Sequence, residues 1–188
     1  KCKDKLVPLK DVADVRFGLK TGINEFFYLT EEQIKHWGIE REFLKPLLKS
    51  PQESDGILID HTKFDTIAFI CRKTIQSFKK EGKNGALKYI EWGEKQKTSE
   101  GISWPHVPSV SNRKIGWWAL PEEDAAQIFW SKAYDAKHTQ GYSKKPILSD
   151  CRLYFVSPKE NKNIELLAAI LNSTISALNL EMIGRVAL

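Results

Sequence analysis

A short stretch near the N-terminus constrains the fold most, because it interrupts apolar sequence with residues that build turns. VRFGLKTGINEFFYLT, Val15–Thr30, places four such residues between apolar and aromatic runs: Gly18, Thr21, Gly22 and Asn24. Glycine allows positive φ and close backbone approach, and Thr and Asn close turns by bonding to nearby backbone groups. We therefore predict a hairpin-like pair of strands, Val12–Phe17 and Phe26–Leu29, with Phe26, Phe27 and Tyr28 in the core.

The composition indicates a folded globular chain. Of 188 residues, 41% are hydrophobic and 11% aromatic, which is enough apolar surface to offset the entropy of ordering the chain. This length fits a single domain. Because the chain opens with Lys1 and contains one methionine, Met182, we expect residues 1–188 to be one domain excised from a longer polypeptide.

Sequence features also bear on the compartment. No run of apolar residues reaches the length of a membrane span, and the N-terminus does not resemble a secretory signal. The three cysteines, Cys2, Cys71 and Cys151, are odd in number and far apart, as expected of reduced thiols rather than a disulfide framework. We expect a cytoplasmic protein without a membrane partner.

The chain is basic, with a formal net charge of +5 and a pI near 9.0. Such a balance is compatible with a polyanionic partner whose counterions are released on binding. A lysine-rich surface is also often only a solvated one. The charge therefore admits nucleic acid as a partner without requiring it.

Local patterns predict a mixture of strands and helices. Thr30 and Gln33 form a capping-box pattern that starts a helix ending at Gly38, and REFLKPLL is helical until Pro46. Helical spacing recurs from Lys73 to Lys97 with a break at Gly82–Gly85. Strand composition marks the segments GILID, TIAFIC, KIGWWAL, QIFW, PILS and RLYFV.

These elements predict an α+β fold. Strands from Val12 to Leu29, from Ile57 to Cys71 and from Ile115 to Val156 should form a mostly antiparallel, strongly bent sheet with flanking helices. A long helix from Asn163 to Gly184 should pack on it, since apolar residues recur on one stripe: Ile164, Leu167, Leu171, Ile175, Leu178 and Met182. Further apolar residues lie off this stripe, so we expect the helix to be covered on more than one side, by its own sheet or by the missing part of a parent chain; a core helix would show the same pattern.

Known catalytic patterns are absent from the sequence. His36, His61, His106 and His138 lack metal-ligand spacing, and there is no CxxC. GLKTG does not match a P-loop, and no nucleophile elbow is present. Amino-methyl transfer to adenine or cytosine needs an Asx-Pro-Pro-aromatic tetrapeptide, and the chain contains no Pro-Pro. We therefore expect no cofactor, no metal and no methyl transfer in this chain itself.

Five segments, in order, resemble one known family. VADVRFGLKTGINEFFYL, REFLKPLLKS, RKIGWWAL, SDCRLYFVSPK and LLAAILNSTISALNLEMIGR are similar to the TaqI-like target-recognition (specificity) domain of adenine-specific DNA methyltransferases in restriction-modification systems. The resemblance implies that duplex DNA is the partner. It also implies an upstream methyltransferase domain in the same polypeptide, with S-adenosylmethionine as the cofactor of that parent chain.

Three segments supply candidate DNA contacts. The first turn holds Arg16, Lys20, Thr21 and Asn24, although Thr21 and Asn24 would equally serve to close a tight turn. A polar loop, Ser131–Lys145, holds Lys132, Lys137, His138, Lys144 and Lys145, although it could be merely solvated. Asn112, Arg113 and Lys114 precede Trp117 and Trp118; an arginine suits guanine and an asparagine suits adenine. Of the two tryptophans, alternation along a strand should bury one.

The leading hypothesis is a DNA-binding specificity module that positions target DNA for an adenine methyltransferase domain and is not itself an enzyme. We predict one basic face, built from Arg16, Lys20, Thr21 and Asn24 of the first turn with Arg113, Lys137, His138 and Lys144 of the later loops. Two alternatives stay open. One is a nuclease or transferase with unrecognised carboxylates, and the other is a protein-interaction or RNA-binding domain that docks through its C-terminal helix.

Overall fold

The computed structural model describes residues 6–50, 53, 56–120, 125–132, 138–160 and 162–183. Its helices are α1 (Leu9–Val12), α2 (Asn24–Phe27), α3 (Glu31–Trp37), α4 (Ile75–Glu81), α5 (Asn84–Gly93), α6 (Pro108–Ser111), α7 (Ile164–Leu171) and α8 (Thr174–Ile183). Its strands are β1 (Ala13–Phe17), β2 (Tyr28–Leu29), β3 (Leu44–Leu48), β4 (Ile67–Phe69), β5 (Ala126–Ser131), β6 (Gly141–Ser149) and β7 (Leu153–Pro158). Short 3-10 turns cover Arg41–Phe43, His61–Lys63 and Trp104–His106.

The chain divides into two compact units. One, which we call the sheet unit, comprises Lys1–Leu19, Leu48–Lys63 and Ala125–Leu188. The other, the aromatic unit, comprises Lys20–Leu47 and Phe64–Asp124. Strand pairings within both units are antiparallel. The predicted α+β class, with a mostly antiparallel sheet and flanking helices, is confirmed.

The sheet unit orders its strands β1-β7-β5-β6. In this order Val156 of β7 lies opposite Val15 of β1 and Ile128 of β5. Helix α7 covers this face of the sheet, with Leu167, Ala168 and Leu171 buried against Ala13, Ile128 and Val156. Burial of apolar area of this kind is the main stabilising contribution to such a layer. The predicted packing of the C-terminal helical segment on the sheet is confirmed for α7.

The aromatic unit is built around Phe26. Its ring stacks on Tyr89 at 4.8 Å between centroids and meets Phe69 and Trp104 edge-on. The Tyr89 hydroxyl donates to the Phe26 carbonyl oxygen at 2.7 Å, so the polar tip of this buried side chain is satisfied. Burial raises the pKa of Tyr89. The predicted core positions Phe26 and Phe27 are both fully buried, whereas Tyr28 is half-buried.

The start of helix α5 packs closely against an earlier part of the chain, at Gly38 and Glu40. The two carboxylate oxygens of Glu40 accept the backbone N–H groups of Gly85 and Ala86 at 3.1 and 3.0 Å. These donors have no partner within the helix because they belong to its first turn. A side chain at Gly85 would place its Cβ 2.0 Å from the carbonyl oxygen of Gly38. Glycine at position 85 is therefore required by the contact itself.

The predicted hairpin is wrong. Strand β1 pairs with β7, so that Phe17 lies opposite Tyr154, and β2 pairs with β4, so that Tyr28 lies opposite Ala68. Phe26 and Phe27 are helical rather than extended. The turn residues between the two strands therefore redirect the chain instead of closing a hairpin.

Three further local predictions are also wrong. Most of REFLKPLL is the strand β3, whose Pro46 lies opposite Ile67, because pairing with β4 outweighs a helical apolar pattern that proline already weakens. KIGWWAL contains a turn, with the Ala119 N–H bonded to the Gly116 carbonyl oxygen at 3.0 Å. GILID contributes only an isolated bridge, from Leu58 to Tyr142.

Both tryptophans of that turn are buried, at 6% and 7% exposure for Trp117 and Trp118. The expected alternation of one buried and one exposed ring fails because no strand forms there. Trp117 packs on Phe26 at 4.4 Å, and Trp118 donates its indole N–H to the Lys73 carbonyl oxygen at 3.2 Å. Both rings thus belong to the core of the aromatic unit.

The C-terminal apolar segment is two helices, not one. Asn172 ends α7, and the axis bends by 52° before α8. The Asn172 amide nitrogen donates to the carbonyl oxygens of Ala168 and Gln140, and its oxygen accepts the Gln140 N–H at 2.8 Å. These side-chain bonds take the place of the backbone hydrogen bonds that a continuous helix would make at this point. Gly184, the predicted end of the helix, lies outside the described residues.

Within the described part of the chain, no single helix has the length and apolar character needed to cross a bilayer. The bent pair Ile164–Leu171 and Thr174–Met182 meets those two criteria jointly. One side of α7, however, is buried against the strands of the sheet unit.

Candidate nucleic-acid interface

The part of the first turn from Lys20 to Asn24 packs closely within the aromatic unit. Gly22 has a φ of 79°, and a Cβ there would lie 2.3 Å from the Ser109 Oγ. Thr21 is only 2% exposed, and its hydroxyl donates to the side-chain oxygen of Asn24. The structure thus gives Thr21 a supporting position under the turn, while Lys20 and Asn24 are exposed.

Arg113 fastens this turn to a later segment of the same unit. Its Nη2 donates to the Thr21 carbonyl oxygen at 2.7 Å and its Nη1 to the Trp117 carbonyl oxygen at 3.1 Å. The guanidinium carbon also lies 5.2 Å from the centroid of the Phe27 ring, within the range of a cation–π contact. Burial lowers the pKa of Arg113 from its usual value.

The structure therefore brings three of the predicted site residues of the aromatic unit into contact: Thr21, Asn24 and Arg113. Asn112 and Lys114 flank Arg113 in the chain and are exposed. Two donors of the Arg113 fork already have carbonyl partners. The predicted site residues of this unit whose side chains are exposed are Lys20, Asn24, Asn112 and Lys114. A fixed turn that presents lysine and amide side chains suits phosphate oxygens and base edges.

In the sheet unit, cations lie over aromatic rings. The Lys132 Nζ is 4.5 Å from the Phe17 ring centroid and 5.5 Å from that of Tyr154. Arg16 lies opposite Phe155 in the strand register, with its guanidinium carbon 5.8 Å from that ring. Both basic side chains are exposed. Rings beneath a cation help to fix the position of its charged group.

The predicted polar loop is shorter than expected, because β6 begins at Gly141. Lys144 and Lys145 therefore lie on a strand and are exposed, and the Lys144 carbonyl oxygen accepts a bond from the Gln127 side chain at 3.1 Å. His138 is half-buried, with its Nε2 3.2 Å from the Leu171 carbonyl oxygen. Lys137 lies outside the described residues.

The site residues predicted from sequence thus fall on both units. The aromatic unit carries Lys20, Thr21, Asn24, Asn112, Arg113 and Lys114, and the sheet unit carries Arg16, Lys132, His138, Lys144 and Lys145. One basic face that joins Arg16, Lys20, Thr21 and Asn24 to Arg113, Lys137, His138 and Lys144 stays a prediction.

Sequence patterns missed three supporting contacts. Glu40 bonds to residues 45 and 46 positions later, Asn172 bonds to Gln140, and Lys132 packs on Phe17. An asparagine inside an apolar helical pattern is a signal for the second of these, since asparagine favours helix ends. The other two depend on long-range pairing that no local pattern encodes.

Cysteine and metal chemistry add little to the site. Cys71 and Cys151 are free, and Cys2 lies outside the described residues. Burial raises the pKa of the Cys71 thiol to about 11, which keeps it protonated and unreactive near neutral pH. Among the residues that the structure describes, no group of three or more His, Cys, Asp or Glu side chains could hold a metal ion.

The fold defines the class of protein, an α+β domain with antiparallel strands and flanking helices. Residues 1–186 match the family model of the type II methyltransferase M.Eco57I, C-terminal domain. The chain belongs to this family. The resemblance seen in the sequence, to the target-recognition domain of a restriction-modification methyltransferase, is confirmed.

A solved structure shares the fold. It is described as "Structure of Type IIL restriction-modification enzyme MmeI in complex with DNA has implications for engineering of new specificities". The match has a TM-score of 0.57 at 13% sequence identity and covers 89% of this chain. It covers 22% of the other chain, so the present chain spans about a fifth of that enzyme's length.

Proposed function

We propose that this chain is the DNA-recognition module of a site-specific adenine methyltransferase of a restriction-modification system. The observation that carries the proposal is the hydrogen bond from Arg113 to the Thr21 carbonyl oxygen, which supports the turn that carries the exposed Lys20 and Asn24 in a chain of this family. A preorganised turn binds with a smaller loss of conformational entropy than a mobile one. MmeI, which shares the fold, was solved in complex with DNA, and this supports the proposal.

In this proposal lysine side chains contact phosphates and asparagine side chains contact bases. Lys20, Lys114 and the sheet-unit lysines neutralise phosphates, which supplies affinity without sequence preference. Asn24 and Asn112 are the exposed amides next to them, and an amide paired with adenine contributes about 1–3 kcal/mol of discrimination. The chain places the target adenine and does not act on it.

Methyl transfer then belongs to another part of the parent protein, in the cytoplasm. The chain lacks a Pro-Pro pair and hence the tetrapeptide that holds a flipped base, so its own residues do not supply that part of a methyl-transfer site. We propose that the cofactor binds in a methyltransferase domain of the same polypeptide. Ile164–Ile183 contains no Lys or Arg, so α7 and α8 offer no cation to DNA phosphates. A protein-interaction role for these two helices is therefore compatible with DNA recognition by the rest of the chain.

The test is to map methylated adenines by sequencing the DNA of a host that expresses the full-length protein. We expect one methylated motif. The variant Asn24→Ala with Asn112→Ala should lower its occupancy or relax one position, while the control Lys79→Ala with Lys80→Ala, on the exposed side of α4, should not. No methylated adenine, or an identical motif and occupancy in the amide variant, would contradict the proposal.

A further inference from the structure

The outer surface of α7 and α8 is apolar and exposed. Five large side chains there are between 52% and 75% exposed: Leu166, Ile170, Ile175, Leu178 and Met182. Leu166 and Ile170 are four residues apart and share one side of α7. The other three follow helical spacing and form a stripe along α8. We call these five residues the outer helix face.

The charge of these helices differs from that of the rest of the chain. Ile164–Ile183 contains Glu165 and Glu181 and no Lys, Arg or His, so its formal charge is −2, whereas the whole chain carries +5. Phosphates would be repelled by the two carboxylates and would gain no cation here. The outer helix face is therefore unsuited to DNA and suited to a protein surface that is apolar with a basic rim.

The small size of the outer helix face suits a domain of the same polypeptide better than a second copy of the chain. Apolar patches on the order of 300–600 Å² are the largest on a typical monomer and are often functional. Stable complexes of separate proteins bury about 800 Å² on each partner, and five partly exposed side chains would make up only part of such a contact. Domains of one polypeptide meet at high effective concentration, so a smaller contact is enough.

A lipid bilayer is a less suitable partner for the outer helix face than a domain of the same polypeptide. The two helices bend by 52°, and α7 is committed on its inner side to the sheet through Leu167 and Leu171. Helices that lie on a membrane surface typically carry Lys and Arg on the polar side, and Ile164–Ile183 has neither.

We propose that the outer helix face is the docking surface for the methyltransferase portion of the same polypeptide. This inference rests on the proposed function, since it presumes that the chain is the recognition module of a methyltransferase. The occupant is an apolar surface with Lys or Arg side chains that meet Glu181. Neither Lys20 nor Lys144 belongs to the outer helix face.

The experiment is site-specific photo-crosslinking in the full-length protein, with p-benzoylphenylalanine in place of Leu178. We expect a crosslink of monomer mass to a peptide that precedes this chain in the polypeptide. The matched control is the same crosslinker at Ile102, an exposed apolar residue of the aromatic unit, which should give less than about a tenth of that product. Crosslinks of dimer mass, crosslinks to lipid, or crosslinks only within this chain would each overturn the inference.

A second measurement covers the case of a poorly folded crosslinker variant. Leu178→Lys with Met182→Lys should speed the proteolytic separation of this chain from the methyltransferase portion about tenfold, which corresponds to about 1.4 kcal/mol. Ile102→Lys should change that rate less than twofold. Equal rates for the two variants would overturn the docking surface.

DNA binding by the unmodified full-length protein separates the two proposals. If the protein binds and methylates a specific motif while Leu178 crosslinks to a second copy, the docking inference alone fails. If it binds no DNA, the proposed function fails. A full-length polypeptide without a methyltransferase portion would overturn both.

Discussion

The guanidinium of Arg113 donates a 2.7 Å hydrogen bond to the carbonyl oxygen of Thr21, 92 residues earlier in the chain. Arg113 donates a second hydrogen bond to the Trp117 carbonyl oxygen, and its guanidinium lies over the Phe27 ring. This side chain therefore supports the turn that presents Lys20 and Asn24. Any contribution that it makes to base recognition is added to this structural role.

Arg113→Lys should lower stability, because lysine keeps the charge but cannot bond to two separate carbonyl oxygens as the planar fork does. Hydrogen bonds of charged groups contribute about 1.5–3 kcal/mol, and we expect a loss of that size in the free energy of unfolding. Urea denaturation followed by tryptophan fluorescence measures it. The control Lys114→Ala, at the exposed neighbouring position, should change stability by less than about 0.5 kcal/mol. Equal losses would show that the carbonyl bonds are unimportant.

Lys20→Ala and Lys144→Ala should weaken binding of the full-length protein to all DNA sequences alike. Each exposed lysine that neutralises a phosphate contributes about one unit to the slope of log K against log salt concentration. Fluorescence anisotropy with a labelled duplex at several salt concentrations gives that slope. Lys79→Ala is the matched control, because Lys79 is an exposed lysine of α4 outside the candidate site. Unchanged slopes for both variants would remove these lysines from the interface.

Local chemistry was readable from the sequence, and long-range pairing was not. The Thr30 capping box is present with both reciprocal bonds, to and from Gln33, because its partners are three residues apart. Helices α4 and α5 and strands β5 and β7 also follow their local patterns. The hairpin failed because β1 finds its partner in β7, at the other end of the chain.

The candidate site shows the same division. Exposed lysines could be picked out by residue type, and Lys20 and Lys144 are exposed as expected. Thr21 is buried and its carbonyl oxygen accepts a bond from Arg113, which is distant in sequence, so no local pattern distinguished its supporting position from a surface one. Pairings between residues far apart decide which polar side chains face solvent.

Gly85→Ala tests whether the contact between α5 and Gly38 is as close as the structure gives it. Helix propensity alone predicts that alanine stabilises this position by about 1 kcal/mol. The clash with the Gly38 carbonyl oxygen, 2.0 Å from the new Cβ, predicts a loss of about 3 kcal/mol, since backbone must move. Gly82→Ala, where no atom lies within 4 Å but φ is +68°, should cost about 1–2 kcal/mol. Thermal unfolding gives both values, and a stabilised Gly85→Ala would refute the contact.

Asn172→Asp should destabilise the bend between α7 and α8. The substitution removes the amide donors to the carbonyl oxygens of Ala168 and Gln140 and sets a carboxylate against them. Leaving such acceptors unsatisfied costs about 1–3 kcal/mol. Asn179→Asp, at an exposed position of α8, adds the same charge without this loss and should change stability by less than about 0.5 kcal/mol. Urea titration of both variants should separate them, and similar midpoints would count against the bonding at Asn172.

The buried thiol of Cys71 should make stability fall at high pH. Its pKa is raised from 9.0 to about 11 in the folded protein, chiefly by burial. Between about pH 9 and pH 11 the unfolded chain therefore releases this proton while the folded chain keeps it, so rising pH favours unfolding. Below pH 9 the thiol is protonated in both states and contributes no pH dependence.

Cys71→Ala isolates that contribution, because it retains the other groups that titrate at high pH, including Tyr89, whose pKa is also raised by burial. Urea unfolding at several values from pH 8 to pH 11 should show a steeper loss of stability in the unsubstituted protein than in the variant. The free-energy difference between the two proteins should be constant up to pH 9 and then shrink. A difference that is the same at pH 8 and pH 11 would mean that the Cys71 thiol titrates alike in the folded and unfolded chains.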